Sequence, residues 1–439
     1  MGSVTGAAAP VREEARLKAL DVLRGLAVCG ILLLNMFVMG DTFLSMRPLT
    51  PFDAASPNWI VWIVSELFVE GTQRGLFGML FGAGLLLMTL RADGQDKPGA
   101  FGVWYRRAFL LMALGAVQFS VLLWPGEILF IYGVMALVLY PFRKLGPKLL
   151  LTLSAALTAV TILMAAMFSQ EPLQVWQAGA PAAARAEAGQ TLTPAEDKLL
   201  AARQAIVADA RPTPQALQAE TAARTGDYPT LVRWSLQQWV GLWAELGPVI
   251  GFDCLSAMFL GMALFKWRVL TGERSLGFYV AMAVIGYALG VGVNAWEVWT
   301  RVSLDFSPQS WPAEATYNLG RLLTAVGHIG LVLALFKADA LGVVGRALQN
   351  LGRMALTNYV GQTLIYIGLF YGLGLYGRFN WAELWGIAAV VWVVQAILSG
   401  WWLKLFAMGP LEWLLRAGAY GRLPPLLRSR VPAQAPAQP

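Results

Sequence analysis

Residues 20–39 read LDVLRGLAVCGILLLNMFVM, an almost uninterrupted apolar run. An α-helix rises about 1.5 Å per residue, so a run of this length matches the roughly 30 Å of hydrocarbon in a bilayer. The residues before it are polar and basic, and the run is too long for the apolar core of a cleavable signal peptide. We therefore expect a retained membrane-spanning helix, and similar runs recur along most of the chain.

The composition of the 439-residue chain is typical of a protein that crosses a membrane many times. Hydrophobic residues make up 57% of it and charged residues 13%, roughly half the charged fraction of an ordinary soluble domain. The net charge of +7 does not indicate nucleic-acid binding, because Lys and Arg lie mostly in short loops and form no basic face with interleaved aromatics. Cys29 and Cys254 lie in apolar runs, which favours small hydrophobes over a disulfide or a cysteine metal site.

The apolar runs predict an all-α fold, a polytopic membrane helix bundle of about ten transmembrane helices with a broken second segment and a helical extracytoplasmic loop. The second segment, about 59–90, is too long for one straight span, and we expect a break near Gly71. The predicted organisation is a cytoplasmic N-terminal segment (1–17), five transmembrane segments (18–168), an extracytoplasmic loop (169–235), five more transmembrane segments (236–415) and a cytoplasmic, partly disordered tail (416–439).

The distribution of basic residues predicts how the chain is oriented. Arg and Lys concentrate in the N-terminal flank, in alternate short loops and in the tail, whereas the intervening short loops are nearly bare of them. By the positive-inside rule both termini lie in the cytoplasm, and the long loop at 169–235 lies outside.

Ionisable side chains within the apolar segments are candidate functional residues, because a charge in hydrocarbon is costly unless it is paired or hydrated. Glu66, Glu70 and Arg74 follow one another at intervals of four, so on a continuous helix they form one acidic-to-basic stripe. Two carboxylates on one face suit acid–base chemistry. They equally suit a buried ion pair with the arginine, and the sequence leaves both interpretations open.

Further candidates lie in other segments. Arg321 and His328 share roughly one face of the eighth segment, and His328 is the only histidine. A lone histidine on an apolar helix is more often a packing residue than a catalyst, although imidazole titrates near neutrality. Glu127 follows a Trp-Pro-Gly turn, and Asn35 needs a hydrogen-bond partner deep in the first segment. Candidates for substrate binding are Asp21, Arg24, Arg74, Arg321, Arg353, Asn358, Tyr359 and Gln362.

Five motifs, in order along nearly the whole chain, resemble those of the YeiB family of bacterial inner-membrane proteins. The third usually has Asp where this chain has Glu127. The motifs are LDVLRGLA at 20–27 with Asn35-Met36, LFGMLFGAG at 76–84, WPGEIL at 124–129, LGRMALTNY at 351–359 and GPLEWLLR at 409–416.

That family is similar to a wider group of transmembrane acyltransferases, which includes the lysosomal heparan N-acetyltransferase type and the bacterial glycan O-acyltransferases. The shared signature is the first-helix motif Leu-Asp-x-Leu-Arg-Gly. The O-acyltransferases often have a histidine eleven residues after its arginine, and Asn35 takes that position here. The resemblance implies a location in the bacterial inner (cytoplasmic) membrane.

The resemblance implies transfer of an acyl group from a cytoplasmic acyl thioester, with acyl-CoA as co-substrate and no metal, to an outward-facing glycan or lipid headgroup. Asn35 would orient the thioester carbonyl. His328 or one of Glu66, Glu70 and Glu127 would act as base. A basic mouth for the phosphates would include Arg24, Arg106, Arg107 and Arg353.

Two other functions remain open. A transporter or flippase for an anionic or amphiphilic small molecule would suit the broken second segment and the Gly-rich helices, although no internal repeat is evident. A non-catalytic scaffold would use the long loop to bind a partner. The sequence contains no Walker loop, metal-ligand cluster, dinucleotide fingerprint or Gly-x-Ser-x-Gly motif. Membrane lipids are expected partners and nucleic acid is not.

Overall fold

The computed structural model describes residues 13–42, 56–91, 94–210 and 213–427. These residues are almost entirely helical and form no strand, apart from two isolated bridges. The predicted segments at 1–17 and 416–439 fall partly outside them. The helices are α1 Glu13–Gly40, α2 Pro57–Phe68, α3 Thr72–Thr89, α4 Ala100–Ser120, α5 Leu129–Leu139, α6 Pro147–Ala178, α7 Ala180–Glu187, α8 Pro194–Ala210, α9 Pro214–Arg224, α10 Tyr228–Lys266, α11 Leu276–Ser303, α12 Tyr317–Lys337, α13 Gly342–Arg353, α14 Ala355–Tyr366, α15 Trp381–Leu405 and α16 Pro410–Tyr420.

Seven helical stretches of the described chain are long and apolar enough to cross a membrane, and they contain α1, α4, α6, α10, α11, α12 and α15. They support a multi-pass membrane protein. The predicted number of about ten is not confirmed, because the second, fourth and ninth predicted segments form helices outside this set. The α5 helix, for example, has 11 residues and rises only about 17 Å, short of the roughly 30 Å of hydrocarbon.

The break in the second segment is present where it was predicted. Gly71 separates α2 from α3 and has a φ of 64°, in the left-handed region that favours glycine. A Cβ at this position would lie 2.5 Å from the Tyr317 hydroxyl. Glu66 and Glu70 therefore precede the break and Arg74 follows it, so the condition for a single stripe of these three residues, a continuous helix, is not met.

The described part of the predicted long loop is largely helical. The α6 helix continues past residue 168 to Ala178, with Pro172 inside it. Thr193 and Glu196 form a capping box, in which the Thr193 amide donates to Glu196 Oε2 at 2.8 Å and the Glu196 amide to Thr193 Oγ1 at 3.3 Å.

The α1 helix lies at the centre of the bundle. Its most apolar stretch is 72% buried, compared with 22% for the corresponding stretch of α11. It packs backbone to backbone against α13, since a Cβ on Gly25 would overlap the Leu348 carbonyl and one on Gly352 would overlap the Asp21 carbonyl. Glycine at both positions brings the first and fourth motifs into contact.

Candidate functional site

A network of ion pairs lies between α2, α3, α10, α11 and α12. At its centre Arg321, which is 4% exposed, pairs with Glu297, donates to Glu66 at 2.8 Å and donates to Asn294 Oδ1 at 3.0 Å. Arg301 also pairs with Glu66, at 3.3 Å. Each charge has an opposite charge beside it, as buried ions require.

The network continues across the break at Gly71. The Tyr317 hydroxyl donates to Glu70 Oε1 at 2.6 Å, and Arg74 pairs with Asp253 at 3.0 Å. The Arg321 guanidinium lies 4.3 Å from the centre of the Tyr317 ring. We define the ion network as Glu66, Glu70, Arg74, Asp253, Glu297, Arg301, Glu314, Tyr317 and Arg321.

Four members of this network, Glu66, Glu70, Arg74 and Arg321, were candidates from the sequence, whereas Glu297 and Arg301 were not. Both lie at the end of an apolar run, so they resembled the start of a loop. Their spacing of four on a continuous helix was the available signal. The structure keeps α11 helical to Ser303, which places them inside the bundle.

His328 and Asn35 do not join the ion network. His328 Nε2 lies 3.1 Å from the Phe68 carbonyl oxygen, and its ring packs edge-on against Tyr287. No described hydrogen bond or ion pair links it to a network carboxylate. Asn35 is half-buried on α1 and makes no side-chain hydrogen bond to another described residue. The geometry of His328 matches the packing interpretation.

Four arginines gather where α1, α4, α13 and α16 meet. Arg24 pairs with Asp21 at 3.0 Å, and Arg353 lies close enough to Asp21 to act on it electrostatically. Arg24 and Arg416 also lie close enough to Arg107 to act electrostatically on its guanidinium, as like charges. We define the arginine cluster as Arg24, Arg107, Arg353 and Arg416. Among the described residues, the ion pair that these four arginines make is that of Arg24 with Asp21, so positive charge is in excess.

Arg107 is the unusual member of the arginine cluster. Its Nη1 lies 2.9 Å from the Met88 sulfur, and its guanidinium lies 5.4 Å from the centre of the Phe81 ring. Within the described residues no carboxylate pairs with it. Its neighbour Arg106, expected to share the mouth, instead donates to the Ala419 carbonyl at 2.7 Å. A half-buried guanidinium without a counter-charge suits an anionic ligand.

The last two motifs meet beside the arginine cluster. Glu412 Oε1 accepts hydrogen bonds from the Leu356 and Thr357 amides at 2.6 and 3.1 Å, and Oε2 accepts one from the Thr357 hydroxyl at 2.6 Å. Glu412 of α16 therefore caps the N-terminus of α14. This contact fixes α16, and hence Arg416, relative to Arg353.

A second group of polar side chains surrounds Glu127, in the turn between α4 and α5. Glu127 is 4% exposed, and its Oε2 accepts from the Phe130 amide at 2.9 Å. Its Oε1 has no hydrogen-bond partner in the described part of the chain, and the Trp239 indole faces the carboxylate. Gly115 leaves space for the Glu127 carboxylate, since a Cβ at position 115 would lie 2.7 Å from Glu127 Oε2.

Side chains of α14 pack against this turn and against the end of α4. The Tyr359 hydroxyl accepts from the Ile128 amide at 3.2 Å, and the Trp124 indole faces the same hydroxyl. Gln118 Nε2 donates to Thr363 Oγ1 at 3.3 Å. We define the Glu127 group as Gln118, Trp124, Glu127 and Tyr359.

The Glu127 group contains buried polar atoms of both kinds without partners. Gln118 Oε1 and Trp124 Nε1 make no hydrogen bond to any described residue. Gln362, also predicted to bind substrate, lies apart and donates to the Val28 carbonyl and to Gln395 Oε1. Asn358, predicted to bind substrate, is different, because its amide donates to the Leu351 carbonyl and to Ser399. Asn358 therefore holds helices together, whereas the Glu127 group has unused hydrogen-bonding capacity.

The seven long apolar helices support a multi-pass membrane protein, and three polar groups lie within its described helices: the ion network, the arginine cluster and the Glu127 group. Residues 264–422 match the model of the family described as "Protein of unknown function (DUF418)". The chain is 26% identical over 431 residues to the uncharacterized protein YxaH of Bacillus subtilis (strain 168), which covers 94% of this chain and 96% of that protein.

Two further relatives match over similar lengths. The uncharacterized protein YeiB of Escherichia coli (strain K12) is 27% identical over 408 residues, covering 90% of this chain and 94% of that protein. An uncharacterized 39.9 kDa protein in the amylase 3' region of Bacillus acidopullulyticus is 25% identical over 420 residues, covering 95% and 98%. No solved structure matches the chain significantly. These likenesses support the YeiB family, as the motifs predicted.

Proposed function

We propose that the protein is an integral membrane acyltransferase that moves an acyl group from a cytoplasmic acyl thioester, such as acyl-CoA, to an extracytoplasmic glycan or lipid headgroup. The observation that carries the proposal is the arginine cluster. An uncompensated buried cation is costly, and a guanidinium binds phosphate through paired hydrogen bonds. With the orientation expected from the positive-inside rule, the cluster faces the cytoplasm, where phosphate-bearing thioesters are available.

The arginine cluster and the Glu127 group each include a residue of α4. Arg107 and Gln118 are eleven residues apart on α4, which places them on nearly the same face and about 16 Å apart. A donor whose phosphates bind the arginine cluster would extend its acyl end along this face. The thioester would then lie near the Glu127 group.

Among the candidates for the base, Glu127 has the most suitable geometry. One of its oxygens is held by the Phe130 amide, and the other is free to accept a proton. Glu66 and Glu70 are engaged within the ion network. His328 contacts the Phe68 carbonyl. A fixed carboxylate beside a thioester is suited to general-base catalysis.

A transporter or flippase for an anionic or amphiphilic small molecule is the second candidate. The break at Gly71 and the charged network around it favour this function, because broken helices and buried charges line the substrate paths of many transporters. The arginine cluster would then hold the anionic solute.

Binding of a labelled acyl-CoA to the full chain in lipid nanodiscs tests the proposal. We expect Arg107→Ala to weaken binding by at least about tenfold, since a charged hydrogen bond contributes about 1.5–3 kcal/mol. Arg346→Ala is the matched control, because Arg346 is an exposed arginine of α13. Failure of the wild type to bind, or equal binding by the Arg107 variant, would contradict the proposal. Transport of an anionic solute into vesicles without any acylated product would favour the second candidate.

A further inference from the structure

We propose that the Glu127 group is a binding site for an uncharged polyhydroxyl moiety, such as a sugar ring or a glycerol-type headgroup. The acyl-transfer step assigned to this site rests on the proposed function, whereas binding of the moiety does not. The protein leaves several buried polar atoms of this group without partners among the described residues.

The unpartnered atoms are of opposite hydrogen-bonding types. Glu127 Oε1 and Gln118 Oε1 are acceptors, and the indole N–H groups of Trp124 and Trp239 are donors. A hydroxyl group both donates and accepts, so several hydroxyls on one ligand can satisfy atoms of both types. A phosphate accepts but hardly donates, and an ammonium group donates but does not accept.

Burial makes this complementarity significant. Gln118, Trp124 and Glu127 are each at most 4% exposed, and each unsatisfied buried group costs about 1–3 kcal/mol. A comparable buried indole can be satisfied within the protein. The Trp104 indole, for example, is equally buried and donates to the Ala136 carbonyl at 2.8 Å.

The charge of the group also limits the ligand. Glu127 is its only ionisable acid, and no described hydrogen bond or ion pair brings an arginine or lysine to it. An anionic ligand would therefore be repelled. The arginine cluster, about 16 Å away along α4, is the place where phosphates would bind.

The geometry fits one transfer step. An acceptor hydroxyl held beside Glu127 attacks the thioester carbonyl carbon, and Glu127 Oε1 takes the hydroxyl proton as the new C–O bond forms. The tetrahedral intermediate then breaks its C–S bond, and the proton passes from Glu127 to the departing sulfur. The products are an ester and a free thiol, with no oxidant or reductant required.

Labelled octyl glucoside, used with the full chain in nanodiscs, tests the site. We expect its fully O-methylated counterpart, which cannot donate hydrogen bonds, to bind at least about tenfold more weakly. Trp124→Phe removes one unpartnered N–H and should weaken octyl glucoside binding by up to about tenfold, equivalent to about 1.4 kcal/mol. Trp104→Phe is the matched control and should leave binding unchanged, because its N–H is used within the protein.

Several results would distinguish the outcomes. Equal binding of the methylated probe, or full binding by the Trp124 variant, would overturn the inference. Competition by methyl glucoside would assign recognition to the sugar ring, and competition by octyl glucoside alone would assign it to a lipid-borne headgroup; both support the site. Glucoside binding without acyl-CoA binding would contradict only the proposed function. Acyl-CoA binding without glucoside binding would contradict only this inference.

The role of Glu127 in transfer has its own readout. Glu127→Gln keeps an acceptor for the Phe130 amide, so we expect folding and glucoside binding to persist within about tenfold while acyl transfer is lost. Glu127→Asp should recover part of the transfer rate. Undiminished transfer by the Gln variant would show that Glu127 is not the base.

Discussion

Replacing Arg224 by Ala should release the long loop from the end of α1. Arg224 is the last residue of α9 and is 1% exposed. Its Nη1 donates to the carbonyls of Val38 and Asp41 at 2.7 and 2.8 Å, and its Nη2 donates to that of Met39 at 3.0 Å. These carbonyls lie at the C-terminal end of α1, where helical carbonyls lack partners and a positive charge is stabilising.

Aromatic residues complete the binding of Arg224. The Tyr366 and Tyr371 hydroxyls accept from it at 3.3 and 3.2 Å, and its guanidinium lies 4.6 Å from the centre of the Trp234 ring. Five hydrogen bonds from one charged group do not add independently. Breaking a buried charged contact of this kind costs about 3–5 kcal/mol.

Hydrogen exchange measured by mass spectrometry is the suitable assay, because the loss is local. A cost of about 3–5 kcal/mol corresponds to roughly 100- to 4,000-fold faster opening, seen in peptides covering 214–227 and 36–42. Arg224→Lys should be intermediate, since an ammonium group lacks the planar fork. Arg203→Ala is the control within the same loop, because Arg203 contacts Trp176 rather than α1. Unchanged exchange in both peptides of the Arg224→Ala variant would refute the reasoning.

Two further predictions concern packing and pH. Gly352→Ala should lower the thermal unfolding midpoint, because its Cβ would overlap the Asp21 carbonyl, whereas the control Gly84→Ala has nothing within 4 Å and should be neutral or stabilising; equal midpoints would contradict this. Hydrogen bonds from Lys144 and Arg143 hold the pKa of Asp96 below its ordinary value. The stability that the Asp96 carboxylate contributes is therefore present above its unfolded-state pKa and is lost as the pH falls through its folded-state pKa. In a plot of the thermal unfolding midpoint against pH, Asp96→Asn should therefore reduce the fall of the midpoint at acid pH.

The helical fold followed from apolar runs, and the break in the second segment followed from Gly71. The number of spans did not follow, because the apolar sequence around α5 and α14 does not reveal that each helix has only 11 or 12 residues. An apolar run in the sequence shows how many apolar residues follow one another. Where a helix begins or ends depends also on tertiary contacts, such as the cap that Glu412 forms on the N-terminus of α14.

The residues of the candidate sites were partly predictable from the sequence, because residue type is visible there and tertiary contacts are not. Arg24, Arg106, Arg107 and Arg353 were expected together as the phosphate-binding mouth that the acyltransferase hypothesis requires, and Arg106 instead donates to the Ala419 carbonyl. Arg416 was missed, since it lay at the start of a tail and only the contact between α16 and α14 brings it close. His328 attracted attention through its chemistry alone, and its contact with the Phe68 carbonyl is visible only in three dimensions.

The buried polar groups divide into two kinds, and the division bears on function. The charges of the ion network pair with one another, and Asn358 donates to neighbouring groups, so both serve packing and would suit a passive scaffold. Arg107 has no carboxylate partner among the described residues, and Gln118, Trp124 and Glu127 each keep a buried atom without a hydrogen bond, which costs about 1–3 kcal/mol per group. Arg107 and Gln118 lie on one face of α4, and Trp124 and Glu127 follow in the turn after it. A protein that only held its helices together would gain stability by replacing them with apolar side chains, so their retention favours a ligand path along that face.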